Sequence, residues 1–118
     1  MSCTATTKAG VAPQTVFDVA KLAAFNDDSI VSRTLLNTNS GSLTFFAFAT
    51  GQRLSEHTCP YDAFAIVVEG AARITIGGTS FDVNAGQMIL MPANVPHAVE
   101  ARQSFKMMLT MFKANSGQ

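Results

Sequence analysis

Two histidines, His57 and His97, stand forty residues apart and are the only imidazoles in the chain. Each lies in a run punctuated by glycine and proline. The first run reads Gly51-Gln-Arg-Leu-Ser-Glu-His57-Thr-Cys59-Pro60-Tyr-Asp-Ala63, closing at Glu69-Gly70; the second reads Gly86-Gln-Met-Ile-Leu-Met-Pro92-Ala-Asn94-Val-Pro96-His97. Histidine is the commonest side-chain metal ligand and the usual proton carrier near neutral pH. A β fold that brought the two together would make them the centre of the chemistry. Other catalytic arrangements are missing: there is no Ser-His-Asp set and no dinucleotide fingerprint, and no helical pattern follows Gly77-Gly78 to cradle a phosphate.

The elements that must position these residues read as short strands. From Ile30 onward, apolar runs alternate with turn residues, which predicts strands over Val31–Leu36, Ser42–Ala49, Gln52–His57, Phe64–Glu69, Ala72–Ile76, Ser80–Val83, Gln87–Met91, His97–Ala101 and Ser104–Phe112. Gly77-Gly78 between Ile74/Ile76 and Phe81/Val83 predicts a tight hairpin, because a two-residue turn needs positive φ. Many short strands at regular spacing imply a sandwich or barrel. Residues 1–13 are small and polar and read as a flexible tail, with the barrel domain over 14–118. Val19 to Phe25 could form a short helix with Asp18 as N-cap. Phe45-Phe46-Ala47-Phe48 and Phe105 to Phe112 are apolar on both faces; Phe105, Met107, Leu109 and Met111 face one way, Met108 and Phe112 the other. Such strands point to a dimer interface or a second sheet. The methionines on these strands read as core fillers rather than copper ligands.

Eight basic side chains balance eight acidic ones and only 14% of residues are charged, so no basic stripe is available for nucleic acid. With 47% apolar residues the chain can build a full core, and low charge favours covering part of its surface with a second copy, a homodimer by default. Two cysteines, Cys3 and Cys59, do not make a secreted disulfide framework. No run reaches membrane-spanning length and the start lacks an apolar leader stretch, so a cytoplasmic protein with no membrane partner is expected.

Taken together the two runs resemble the motifs of the cupin superfamily. Gly51, His57 and Gly70 fit the first motif, while Cys59 stands in place of its second His and Ala63 in place of its Glu. Gly86, Pro92 and His97 fit the second, while Asn94 replaces a Gly and Ala101 an Asn. The resemblance implies an all-β, single-domain antiparallel jelly-roll β-barrel, often dimeric, with a site in the barrel mouth; a full family site gives three imidazoles and a carboxylate to a divalent metal. His57 and Cys59, two apart on an extended segment, would share a face, and Pro60 biases Cys59 towards that geometry. His97 would arrive from a distant strand, placed opposite by barrel closure. Asn94 tolerates the left-handed conformation its position requires.

Three readings stay open. His57, Cys59 and His97 could hold zinc, iron or copper, since thiolate plus imidazole moves preference away from manganese and magnesium; oxygenase or isomerase chemistry would be open to such a site. The pocket could instead be a metal-free sensor or binding module for a small molecule, with Cys59 as a small apolar plug. Or the histidines could be relics satisfied by neighbours. A nucleophilic Cys59 activated by an imidazole is a further, minor variant. Among replacement carboxylates, Glu56 and Glu100 should point to the opposite strand face, Glu69 should be a solvated strand end, and Asp62 remains as a distant participant. Tyr61, the sole tyrosine, could line the mouth or stand as a surface aromatic.

Overall fold

The computed structural model describes residues 8–113. Ten strands follow one another: β1 (Lys8–Ala9), β2 (Ile30–Asn37), β3 (Gly41–Phe48), β4 (Arg53–His57), β5 (Asp62–Glu69), β6 (Ala71–Ile76), β7 (Thr79–Asn84), β8 (Met88–Met91), β9 (His97–Glu100) and β10 (Phe105–Phe112). They form a six-stranded sheet in the order β1-β2-β3-β10-β5-β8 and a four-stranded sheet in the order β4-β9-β6-β7. All pairings are antiparallel. Each of the nine strands expected from the sequence is present with ends shifted by a residue or two. The short β1, inside the segment expected as a tail, pairs with Leu36 and Asn37 of β2. Residues 1–7 of that segment lie outside the described residues.

The two sheets face each other across one core, and here the expected barrel needs correction: no strand pairing joins the sheets among the described residues, so the barrel is not closed. One reason is the shortness of β8, which pairs with β5 alone and stops at Met91 because Pro92 has no N–H to continue a ladder. Alternation builds the core. On β5, Ala63, Ala65 and Val67 are buried while their neighbours are not, and Phe105, Met107, Leu109 and Met111 of β10 join them. Ile74, Val83 and Val99 close the core from the smaller sheet. Fully burying side chains of this size is worth roughly 1.5–3 kcal/mol each.

The outer face of the larger sheet is covered in part by the chain itself. Phe45 and Leu35 are buried there with Leu22, so the double-sided burial expected for β3 reflects a second sheet on one side and the Val11–Leu22 segment on the other. Val11, Pro13, Phe17 and Leu22 also roof an apolar cleft of about 460 Å³ against Leu35, Leu43 and Met108. The expected helix is absent from this segment. Only Val19–Lys21 makes a turn of 3-10 helix, and Asp18 makes no side-chain cap bond. The carbonyls that a longer helix would use are taken elsewhere. Ala20 accepts from the Lys106 Nζ at 2.6 Å and Leu22 from the Arg33 guanidinium at 3.1 Å. Docking on the sheet therefore won over helical propensity.

The turns follow the sequence closely. Gly77 and Gly78 have φ of 56° and 87° and link β6 to β7. Gly70 is doubly constrained: its φ is 74°, and a Cβ there would lie 2.5 Å from the Ser104 carbonyl oxygen. No helix among the described residues is long and apolar enough to cross a membrane.

Candidate metal-holding site

His57 is the last residue of β4 and His97 the first of β9, and the two are direct partners across the ladder. The register shifts between Leu54 and His57, which sets the two imidazoles side by side at the strand ends. Their ring centroids are 4.4 Å apart, edge to face at 64°. His97 was expected opposite His57 across a closed barrel. Instead the pair shares one edge-ward ladder of the smaller sheet, because β9 runs beside β4 rather than across the core.

Both rings are oriented by the same device. The Nδ1 of His57 lies 3.0 Å from the Ser55 carbonyl oxygen, and the Nδ1 of His97 lies 3.4 Å from that of Val95. A carbonyl can only accept, so Nδ1 carries the proton in each neutral ring and Nε2 presents its lone pair. Both Nε2 atoms are buried and have no hydrogen-bond partner. Buried polar atoms left in that state are uncommon and costly, by about 1–3 kcal/mol each. Burial, and then the neighbouring His57, hold the His97 pKa below its ordinary value. That environment keeps His97 neutral, as a ligand or acceptor must be. Sequence reasoning missed Ser55 and Val95; their shared position, two residues before each histidine, is the only signal that could have found them.

Cys59 follows β4 and is 4% exposed. Its carbonyl accepts from the Asn94 N–H at 2.8 Å, tying the loop after β4 to the loop before β9. Asn94 adopts the left-handed conformation expected of it, with φ of 64°. The ligand atoms of His57, Cys59 and His97 all lie within 4.8 Å of one another, the one such group among the described residues. Metal–nitrogen and metal–sulfur bonds are about 2.0–2.3 Å. Two such bonds nearly span 4.8 Å, so the cluster could hold a metal ion after small side-chain adjustments. The donor chemistry fits with one condition: the Cys59 sulfur is in a disulfide, and only its thiolate is a strong ligand. Cys3, the other cysteine, lies outside the described residues.

The remaining candidates fall outside the cluster. Ala63 and Ala101 are buried apolar positions and bring no donor. Asp62 instead accepts from the Ala93 N–H at 2.8 Å, fastening the Pro92–Pro96 loop to β5. Glu69 pairs with Lys106 at 3.8 Å on the larger sheet, and Glu56 is exposed. Tyr61, expected at the surface, is partly buried and packs against the main core.

Known proteins resemble this chain along most of its length. A conserved protein of unknown function from Streptococcus pyogenes is 31% identical, with 95% of this chain and 98% of that one covered and a TM-score of 0.87. A cupin 2 conserved barrel domain protein from Leptotrichia buccalis is 34% identical over 82% of this chain and 47% of its own, with a TM-score of 0.80. A curated relative, the polyketide synthase CurC of Streptomyces cyaneus, is 29% identical over 70 residues; the match takes in 58% of this chain and 46% of that protein's length. Residues 44–112, which carry both histidines and the strands that bring them together, match the Cupin domain family, and the chain belongs to the cupins.

Proposed function

We propose that this cupin binds a small molecule at the strand ends where His57, Cys59 and His97 meet, and that with Cys59 as thiolate the three residues hold a divalent metal, zinc, iron or copper. The observation that carries the proposal is the pair of buried Nε2 atoms with lone pairs and no partner. A relic pair satisfied by neighbours would have hydrogen-bonded them. Two imidazoles and a thiolate favour these metals over manganese or magnesium. A bound metal of this kind supplies Lewis-acid or redox chemistry to a coordinated substrate, the basis of oxygenase- or isomerase-type reactions. The chain's own contribution is orientation and dryness: the Ser55 and Val95 carbonyls fix the tautomers, and burial keeps His97 neutral. The resemblance to CurC supports a small organic molecule as the ligand class.

The second reading is a metal-free binding or sensor module. The disulfide state of Cys59 favours it, since two imidazoles alone are a weak metal site while their lone pairs can accept hydrogen bonds from a ligand. Both readings place the protein in the cytoplasm as a homodimer that does not bind nucleic acid. Exposed Met88, Leu90 and Phe112 support the dimer: β8 and β10 both flank β5 in the larger sheet, and Phe112 packs edge-on against Phe64 of β5.

Zinc titration of the reduced protein by calorimetry tests the proposal. One equivalent is expected to bind, with loss of binding in both His57→Ala and His97→Ala. Absence of binding to the reduced wild type, or wild-type binding retained in either variant, sinks it.

A further inference from the structure

We infer that Cys59 makes this centre a redox-gated metal site, in which disulfide formation withholds the third ligand and reduction restores it. The inference rests on the metal-holding reading above. The first observation is the disulfide state of Cys59 itself. The second is independent of it: His97 is 4% exposed and its buried Nε2 has no partner, and a ring nitrogen of each histidine lies within 4.8 Å of the Cys59 sulfur. A disulfide sulfur is neutral and weakly basic, whereas a thiolate is a strong ligand for zinc, copper and ferrous iron. Changing the state of one atom therefore changes the donor set from two imidazoles to two imidazoles and a thiolate, with no rearrangement of the fold.

The backbone around the sulfur is held independently of that bond. The Cys59 carbonyl is tied to Asn94, Pro60 fixes the following turn, and Asp62 secures the neighbouring loop through Ala93. The reduced side chain thus stays beside the imidazoles. The chemistry is thiol–disulfide exchange with a dithiol reductant. One reductant thiolate attacks the sulfur bonded to Cys59; the S–S bond breaks, its electron pair leaves on Cys59 as thiolate, and a mixed disulfide forms on the other sulfur. The second reductant thiolate resolves that mixed disulfide, so the reductant ends as a disulfide and the protein has gained two electrons. Oxidation by a small-molecule disulfide runs the same steps in reverse. In a cytoplasmic protein a disulfide commonly serves redox sensing. Linkage makes the gate reciprocal: a metal that binds only the thiolate form protects Cys59 from oxidation.

The test is a cobalt(II) titration of the full chain, air-oxidised and dithiol-reduced with reductant removed anaerobically, monitored by near-ultraviolet thiolate-to-cobalt absorption and by zinc competition. The reduced wild type is expected to bind one equivalent with the charge-transfer band. The oxidised form should lack the band and bind more weakly by at least the roughly 10–100-fold typical of lost ligand support. Cys59→Ser should match the oxidised form under both conditions. Cys3→Ser, which leaves all three donors in place and removes the chain's other cysteine, should match the reduced form without reductant. Equal affinity in oxidised and reduced protein, or a Cys3→Ser variant that stays weak, overturns the gate and leaves a two-imidazole site standing. No cobalt or zinc binding by the reduced wild type overturns the metal reading and the gate with it.

Discussion

Polar side chains on the two sheets of this protein meet opposite fates. Lys106, on β10 of the larger sheet, is buried with its charge engaged by the chain: its Nζ donates to the Ala20 carbonyl at 2.6 Å, lies 3.8 Å from Glu69 and sits 5.0 Å from the centre of the Phe25 ring. The imidazoles of His57 and His97, on the smaller sheet, have one nitrogen each engaged and one left bare. The first arrangement fastens the Val11–Phe25 segment to the sheet, which is a structural task completed within the chain. The second leaves two buried lone pairs without a donor in the cluster that includes Cys59, which costs stability. The satisfied group serves the architecture of the larger sheet, and the unsatisfied pair is what the proposed function rests on.

The sharpest way to break this contrast is to delete one member of each region. His97→Ala should reduce zinc affinity of the reduced protein by well over the roughly 10–100-fold seen for supporting residues, while thermal stability is unchanged or slightly raised because a bare buried nitrogen has gone. A large stability loss with metal affinity intact would move the histidine pair to the structural side. Lys106→Ala should do the reverse. Leaving the Ala20 carbonyl without its buried donor costs about 1–3 kcal/mol, read by urea denaturation, with zinc affinity equal to wild type. Weakened metal binding in that variant would show that the two regions are coupled.

Acid titration of the metal-free protein separates the regions more finely. The His97 pKa lies below its ordinary value of 6.5, burial being the main cause and the nearby His57 the second. As pH falls below about 6.5, the unfolded chain takes up the proton and the folded chain does not, so stability must fall through this window and level off only below the folded-state pKa. The slope just below pH 6.5 should be shallower in His97→Phe than in wild type. Identical slopes would mean that His97 titrates as freely as it does in the unfolded chain. The smallest effect is expected at Asp62, which fastens a loop and is outside the donor cluster. Asp62→Asn retains an acceptor for the Ala93 N–H, so stability should change by less than about 0.5 kcal/mol and metal affinity not at all. A clear drop in affinity would return Asp62 to the site.

The positions of the strands and turns along the chain were legible from local signals. Gly77-Gly78 had to be a hairpin and Gly70 a turn, because only positive φ reverses the chain there, and the apolar runs had to be strands because their spacing leaves no helical stripe. His57, Cys59 and His97 could be singled out by type and by spacing alone. The Val19 to Phe25 helix misled because its carbonyls are claimed by Lys106 and Arg33, residues far along the chain whose reach no local pattern records. The packing of Tyr61 against the main core was hidden for the same kind of reason, since it depends on contacts made far along the chain.

What the sequence determined by itself, then, is which residues have the chemistry and which positions must turn, since both are properties of side-chain type and local backbone sterics. The tertiary structure decided that His57 and His97 are partners on one ladder rather than facing groups across a barrel, that the barrel stays open, and that both Nε2 atoms end buried and bare. These are outcomes of strand pairing and register, long-range choices in which a shift of a single residue would turn each imidazole to the other face of its sheet.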